Sequence, residues 1–503
     1  MLNYFLSEKD QSKLSILKMI LFDSNGQFVH SIMEHCSLER RSVLRYLSDL
    51  KEDIAEVFPD KNVFLKQTNQ IDKFIIYKDK ETPYNEVVDS LRLNYIQKSN
   101  LYIVFNAVLT KNYVSVKQLS LDINISSAAV YKYLAIIDVF LKKFGSTLSI
   151  RKTEGNITGN ELGTRYAIYF IYWFIFRTSE LKKRLLYVPI ELFDLSFVTE
   201  SISSNIELSL SQKSKLEIIQ AVTLYRVIYR KKTLDMPDTF WADVHFFYQQ
   251  NLHFNPKFEK KIPAGNLHKE KLFFSFAMRG IIHNIDSFEK KQAIVSAYKN
   301  SDLTIANQLT VFLNRFQNKF HFPRTSKDEI ELYYVLIMAF IYFKHMEVDT
   351  LEFFGDHLSL ERFMERNPHL HYLENEIIKF VDEENKELNF DLTSNSNNSL
   401  TQLTHYLFWS IAINSQIQPV AIYIQCSRDV YMANTIEKMI LRFINPDSVK
   451  FTDKISEADI IIADMYEGEY PQVDMFYFEG TFDPKIWSDM IFFITQALWK
   501  KYT

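Results

Sequence analysis

Ser37, Arg40, Arg41, Ser42 and Arg45 place three guanidinium groups and two hydroxyls within a nine-residue stretch. A guanidinium can bond the O6 and N7 edge of guanine with two parallel hydrogen bonds, whereas a hydroxyl more often meets a phosphate. Further along, Ser126, Ser127, Tyr131 and Lys132 repeat the mixture of small, polar and basic types. Lys66, Arg151 and Lys152 stand in short alternating segments, from which they would lie over the neighbouring sugar-phosphate backbone. The chemistry these residues offer is recognition of double-stranded DNA. No Walker loop, dinucleotide glycine fingerprint, HExxH helix or paired-cysteine spacing occurs. The pair His369 and His371 is a lone metal-type spacing that chance at the surface explains. No catalytic residue, metal or cofactor is expected.

Such residues need a helix that can enter the major groove, and the surrounding pattern supplies one. Leu14, Leu17, Ile20 and Leu21 mark one face of a first helix, and Val29, Ile32 and Met33 a second. In the segment Ser37–Leu50, Val43, Leu47 and Leu50 recur at helical spacing while Arg40, Arg41 and Arg45 fall outside the apolar stripe. After Pro59, the alternation at Val63–Lys66 and Phe74–Tyr77 predicts a two-stranded wing. Adding 87 to these positions returns the pattern: Val43, Arg45, Tyr46, Leu47 and Leu50 become Val130, Lys132, Tyr133, Leu134 and Ile137. A second wing is predicted at Leu148–Lys152, turning at Thr153–Asn156. The expectation is two winged helix-turn-helix domains, residues 1–82 and 83–160.

The remaining composition sets limits. A chain of 503 residues exceeds one hydrophobic core. With 10 glycines against 42 phenylalanines and 28 tyrosines, helices joined by short loops are expected instead of a barrel or sandwich. Two cysteines, Cys36 and Cys426, and no evident signal peptide point to a reducing cytoplasm. The apolar runs Tyr166–Phe176 and Leu332–Phe343 are shorter than the roughly 18–20 residues of a membrane span, so buried helices are expected and no membrane partner. A net charge of −4 leaves DNA contact to local basic patches.

Directly after the second wing, Ile157-Thr158-Gly159-Asn160-Glu161-Leu162-Gly163-Thr164-Arg165 leads into an aromatic helix. The Gly159, Glu161 and Arg165 signature resembles the junction of regulators that join helix-turn-helix domains to domains controlled by the sugar phosphotransferase system (PTS). The whole layout resembles the Mga/AtxA-like family of PRD-containing transcriptional regulators of Gram-positive bacteria. That resemblance divides the amphipathic helices that follow into two PRD-like helical domains, 161–286 and 287–415. It implies an activator, of virulence or carbohydrate-responsive genes, tuned by phosphoryl transfer to exposed histidines. His268, His283, His345 and His405 border predicted helices and are the candidates. The implied partners are PTS phosphocarrier proteins and RNA polymerase.

From residue 416 to the end, strands alternate with helices: Val420–Ile424, Tyr431–Phe443, Ala458–Asp464, Met475–Phe478 and Pro484–Lys501. This pattern predicts a small parallel α/β layer, which resembles the PTS enzyme IIB domain. Cys426 stands where such domains carry their phosphorylated cysteine, but the loop Cys426–Tyr431 has no glycine to wrap an anion and adds Asp429. The expectation is therefore a domain kept for homodimer formation, with Met475, Phe476, Tyr477, Phe478 and Phe482 as interface aromatics. The expected fold class is multidomain and mainly α: two winged helix-turn-helix domains, two PRD-like domains and a C-terminal EIIB-like α/β domain. Two other functions remain open: a phosphotransferase component using Cys426, and a helical scaffold that does not bind DNA.

Overall fold

The computed structural model describes residues 5–150, 156–184, 186, 188–202, 207–282, 285–322, 325–345, 368–388, 401, 403–408, 410–411, 419–426, 432–465, 473–478 and 484–502. Helices dominate, and the chain divides into two compact units: Met1–Phe354 with Leu388–Ser399, and Gly355–Glu387 with Leu400–Thr503.

The first unit opens with helices α1 (Glu8–Leu21), α2 (Val29–Cys36) and α3 (Arg40–Val57). Their apolar stripes close a small core: Leu14, Leu17, Ile20, Val29, Ile32, Val43, Leu47, Leu50 and Ile54 are all buried. Strands β2 (Phe64–Gln67) and β3 (Lys73–Tyr77) pair antiparallel as the wing. A strand absent from the sequence reading, β1 (Gln27–Phe28), adds to the other edge of β3. Two residues are too short to show an alternation, so no period could reveal it.

Helices α5 (Asn100–Thr110), α6 (Val116–Ile123) and α7 (Ser127–Lys142) repeat the arrangement, closed by strands β4 (Ser146–Leu148) and β5 (Ile157–Gly159). The wing thus begins two residues earlier than predicted. Thr147 and Thr158, paired across the strands with their hydroxyls 3.3 Å apart, set its register.

Between the winged units lies α4 (Tyr84–Lys98), which the sequence reading did not separate. It ties both neighbours. The Tyr95 hydroxyl donates to Asp53 on α3 at 2.6 Å, and Lys13 on α1 reaches the same carboxylate at 2.7 Å. Burial and the Asp53 carboxylate raise the Tyr95 pKa, so the phenol stays a donor. On the other side, Arg92 donates to the carbonyls of Phe174 and Ile175, at 2.5 and 3.1 Å. These carbonyls lie in the last turn of α8 (Glu161–Phe176), where a cation matches the helix dipole. Burial, with Arg177 nearby, pushes the Arg92 pKa down to about 10.

From Tyr166 onward helix α8 is apolar on all sides, and it is mostly buried. Tyr102 and Phe105 of α5 meet Phe176 and Tyr172 of α8. Gly163 permits the approach of its first turn, because a Cβ there would stand 1.8 Å from the Phe144 carbonyl oxygen. The helices that follow are α9 (Leu210–Leu224), α10 (Asp238–Val244), α11 (Ala264–Ile281), α12 (Phe288–Lys299), α13 (Thr304–Phe320) and α14 (Ser326–His345). Helix α9 ends in a π-turn at Tyr225–Tyr229. The loop predicted at Asn255–Asn266 holds a short helix, Pro256–Glu259. The Asn255 side chain accepts from the Lys257 amide, and Pro256 presets the first helical φ.

The second unit holds α15 (Pro368–Leu388) and a four-stranded sheet in the order β7-β6-β8-β9. These strands are β6 (Val420–Gln425), β7 (Val449–Phe451), β8 (Ile460–Ala463) and β9 (Asp474–Tyr477), and every pairing is parallel. Helices α16 (Met432–Phe443) and α17 (Pro484–Tyr502) cover one face, where Val420, Ile422, Ile460 and Ile462 meet Ile436, Ile440, Met490 and Ile494. The predicted α/β alternation is present, with the edge strand β7 as the addition. No single helix among the described residues is long and apolar enough to cross a membrane.

Candidate nucleic-acid interface

The two winged units correspond residue by residue. Helices α2 and α6 both begin and end 87 residues apart, at Val29 and Val116 and at Cys36 and Ile123. Helices α3 and α7 begin at Arg40 and Ser127, again 87 apart. The turn between each pair of helices rests on one residue in the left-handed region, Ser37 (φ 53°) and Asn124 (φ 52°). In both turns the next amide bonds back five residues, Leu38 to the Met33 carbonyl and Ile125 to that of Ser120. Such closure aims the following helix sharply away from the one before it. Ser37 therefore shapes the turn and lies outside the recognition helix.

On α3, Val43, Leu47, Leu50 and Ile54 face the core, which leaves Arg40, Arg41, Leu44 and Arg45 on the exposed side of its first turns. Ser42 is half-buried. Arg45 leans over the Tyr46 ring at 5.1 Å, and Arg41 pairs with no carboxylate among the described residues. Arg40 bonds Asp72 in the wing turn at 2.7 Å. On α7, Val130, Leu134, Ile137 and Leu141 are buried, while Ser127, Ala128, Tyr131 and Lys132 are exposed, Tyr131 to 64 %. Ser126 caps α7, its hydroxyl accepting from the Ala129 amide at 3.3 Å. Lys66 is exposed on β2. Arg151 and Lys152 lie outside the described residues.

Two exposed residues that the sequence reading passed over share the repeat, His30 on α2 and Lys117 on α6. Each stands one residue inside the helix that precedes the recognition helix. Lys117 adds a cation beside the Ser115 cap, whose hydroxyl accepts from the Gln118 amide. A helix N-terminus with a cation suits a backbone phosphate. The offset of 87, carried back one helix, would have found them.

Residues 84–172 match the family model of the Mga helix-turn-helix domain. The chain carries a Mga helix-turn-helix domain. The match starts with α4, spans the second winged unit and ends inside α8, so the Mga domain includes the connector that Arg92 and Tyr95 lock in place. The matched segment is similar to the helix-turn-helix domain of the Mga regulators, which bind DNA. No curated protein matches the chain.

The histidines fall in unlike places. His268 is exposed on α11, its ring against Tyr248 at 4.9 Å. The His345 ring is buried, its Nε2 2.7 Å from the Asp243 carboxylate, which also takes Lys344 at 2.9 Å. His405 stands 3.7 Å from Glu374. His283 lies outside the described residues. Cys426 is half-buried just past β6, and residues 427–431 of its loop are outside the described set.

The Arg40–Asp72 pair gives a prediction. Both side chains are partly exposed, so the pair contributes about 0.2–1 kcal/mol and competes with DNA for the guanidinium. Asp72→Asn should release Arg40 and tighten DNA binding by roughly 1.4- to 5-fold. Fluorescence anisotropy at fixed salt reads this directly, and an unchanged Kd in D72N would remove Arg40 from the interface.

Proposed function

We propose that the chain is a transcription regulator that holds one DNA duplex through both winged units, with α3 and α7 in major grooves and Lys66, Arg151 and Lys152 over the backbone. The carrying observation is the register itself: both recognition helices start 87 residues apart and expose the same first-turn face. A unit retained only for packing would have no need to keep that outward face polar and basic. DNase footprinting together with mobility shifts across a salt series tests the reading. The footprint should exceed one helical turn per protomer, and Lys132→Glu should shorten it and weaken binding. A K132E footprint as long as the parent's would confine DNA contact to the first unit.

The family resemblance extends the proposal. Residues 161–286 and 287–415 would act as PRD-like domains, receiving phosphate from PTS phosphocarrier proteins on His268, His283, His345 or His405. A phosphate adds nearly two negative charges at a domain contact. His268, being exposed, is the most accessible of those among the described residues. Activation of transcription, through contact with RNA polymerase, belongs to the same reading, as does a cytoplasmic site of action.

The domain 416–503 would pair two copies as an EIIB-like module. Phe478 and Phe476 turn inward against Trp487 and Phe493. Tyr477, Phe443 and Phe492 stay 54 %, 64 % and 64 % exposed, supporting a surface that a second copy covers. Tyr477→Glu with Phe492→Glu should leave the full-length chain monomeric by light scattering, and a dimer that persists would place the contact elsewhere.

A further inference from the structure

A cavity of about 80 Å³ lies where the second winged unit meets the helices behind it. One wall comes from the winged unit, with Asn112 in the α5–α6 turn and Asn156 before β5. The other comes from the end of α9 and its π-turn, which bring Arg226, Tyr229, Arg230 and Lys232 to the same space. Among the described residues, no acidic one lines it.

The charges there do not cancel. Arg226 is spoken for, since its guanidinium bonds both oxygens of Glu161, at 3.0 and 2.6 Å. Arg230 donates to the Leu109 carbonyl at 2.7 Å and has no carboxylate among the described residues. The Lys232 ammonium has none either, although its carbonyl accepts from Arg165. Burial, opposed only in part by Tyr225, lowers the Arg230 pKa. A half-buried guanidinium without a counter-charge costs free energy that an anion would recover.

The backbone is shaped to keep these groups together. A π-turn inserts one extra residue into the helical ladder, a feature frequent at functional sites. Just beyond it, Lys231 is held at φ 55°, in the left-handed region that a lysine adopts only under constraint. The Lys232 amide bonds back to the Arg226 carbonyl at 3.0 Å, which folds the three cations onto one side.

We propose that this cavity is a binding site for a small phosphate-class oxyanion, which bridges the Mga domain to the helical region. Arg230 and Lys232 supply the charge, and Asn112 supplies an amide donor from the winged side. The volume suits a single tetrahedral group, either free phosphate or the terminal phosphate of a small metabolite. A nucleobase or sugar would have to stay outside the mouth. Occupancy would tie Asn112 to the cations of the π-turn, so ligand and DNA affinity are expected to be linked.

Equilibrium dialysis of the full-length protein against radiolabelled inorganic phosphate, at constant ionic strength, tests the site. One phosphate per chain should bind saturably, and Lys232→Glu and Arg230→Gln should each weaken binding at least about tenfold. Lys290→Gln, on an exposed face elsewhere, should leave it unchanged. K232E removes no hydrogen bond within the fold, so it keeps the test valid if R230Q unfolds. A small sugar phosphate that displaces the label with higher affinity would identify the metabolite as the source. Phosphate that fails to saturate, or that binds K232E as well as the parent, overturns the proposal. Loss in K232E of DNA affinity and salt slope alone, with no phosphate uptake by the parent, would also overturn it and reassign the cations to the DNA backbone.

Discussion

Arg40→Ala, Arg41→Ala and Arg45→Ala combined should abolish a mobility shift that the parent chain gives at the same concentration. Each arginine that reaches a base edge is worth roughly 1–3 kcal/mol, so losing all three costs at least about a hundredfold in affinity. The three side chains lie on the face of α3 opposite Val43, Leu47 and Leu50, and none takes part in the core. Helix content and unfolding temperature should therefore stay close to those of the parent. The salt dependence adds an independent readout. The slope of log K against log salt falls by about 0.9 for each phosphate contact removed. A base-reading arginine and a phosphate-reading one are thereby distinguished in the single variants. Parental affinity in the triple variant would take α3 out of the groove.

Arg165→Met should cost about 3–5 kcal/mol, because it strands a buried carboxylate. The Arg165 guanidinium, fully enclosed, bonds both oxygens of Glu270 at 2.6 and 3.0 Å and Glu161 at 3.0 Å. Glu161 keeps Arg226 when Arg165 is lost, but Glu270 keeps no charged partner among the described residues. Desolvation alone would lower the Arg165 pKa, yet Glu270 and Glu161 outweigh it and hold the pKa above its usual value. The double variant Arg165→Met, Glu270→Leu removes both charges together. It should regain most of the loss, since an apolar pair of similar volume often replaces a buried ion pair at little cost. Thermal unfolding of the parent, the single and the double variant reads both the loss and its recovery. An Arg165→Met protein as stable as the parent, or a double variant worse than the single, would refute a role for charge balance here. Because this network sits in the first turn of α8, the single variant should also loosen the Mga domain and weaken DNA binding.

Much of this protein could be read along the chain. The recognition helices, the repeat at 87 residues and the parallel C-terminal layer all rest on local periodicity. A stripe such as Val43, Leu47, Leu50 appears wherever one helix face must be buried, whatever the partner. The Gly159, Glu161 and Arg165 signature was legible as a junction only through the family resemblance, not through periodicity. Gly159 holds φ at 121°, and Glu161 and Arg165 are one helical turn apart.

Tertiary structure decided what depends on residues far apart in sequence. Glu270 completes the Arg165 pair from 105 residues away, and nothing local announces it. Asp72 reaches Arg40 across 32 positions and turns one of three equivalent-looking arginines into a latched one. His345 borders a helix as the sequence suggested, but the arrival of Asp243 from 102 residues upstream encloses its ring. The connector α4 carried no separate signal in the sequence; its role emerges only where Tyr95 and Arg92 find Asp53 and the end of α8. Periodicity specifies that a face is buried, whereas the identity of its partner, and so the charge left over in the Arg230 and Lys232 cavity, is set by packing alone.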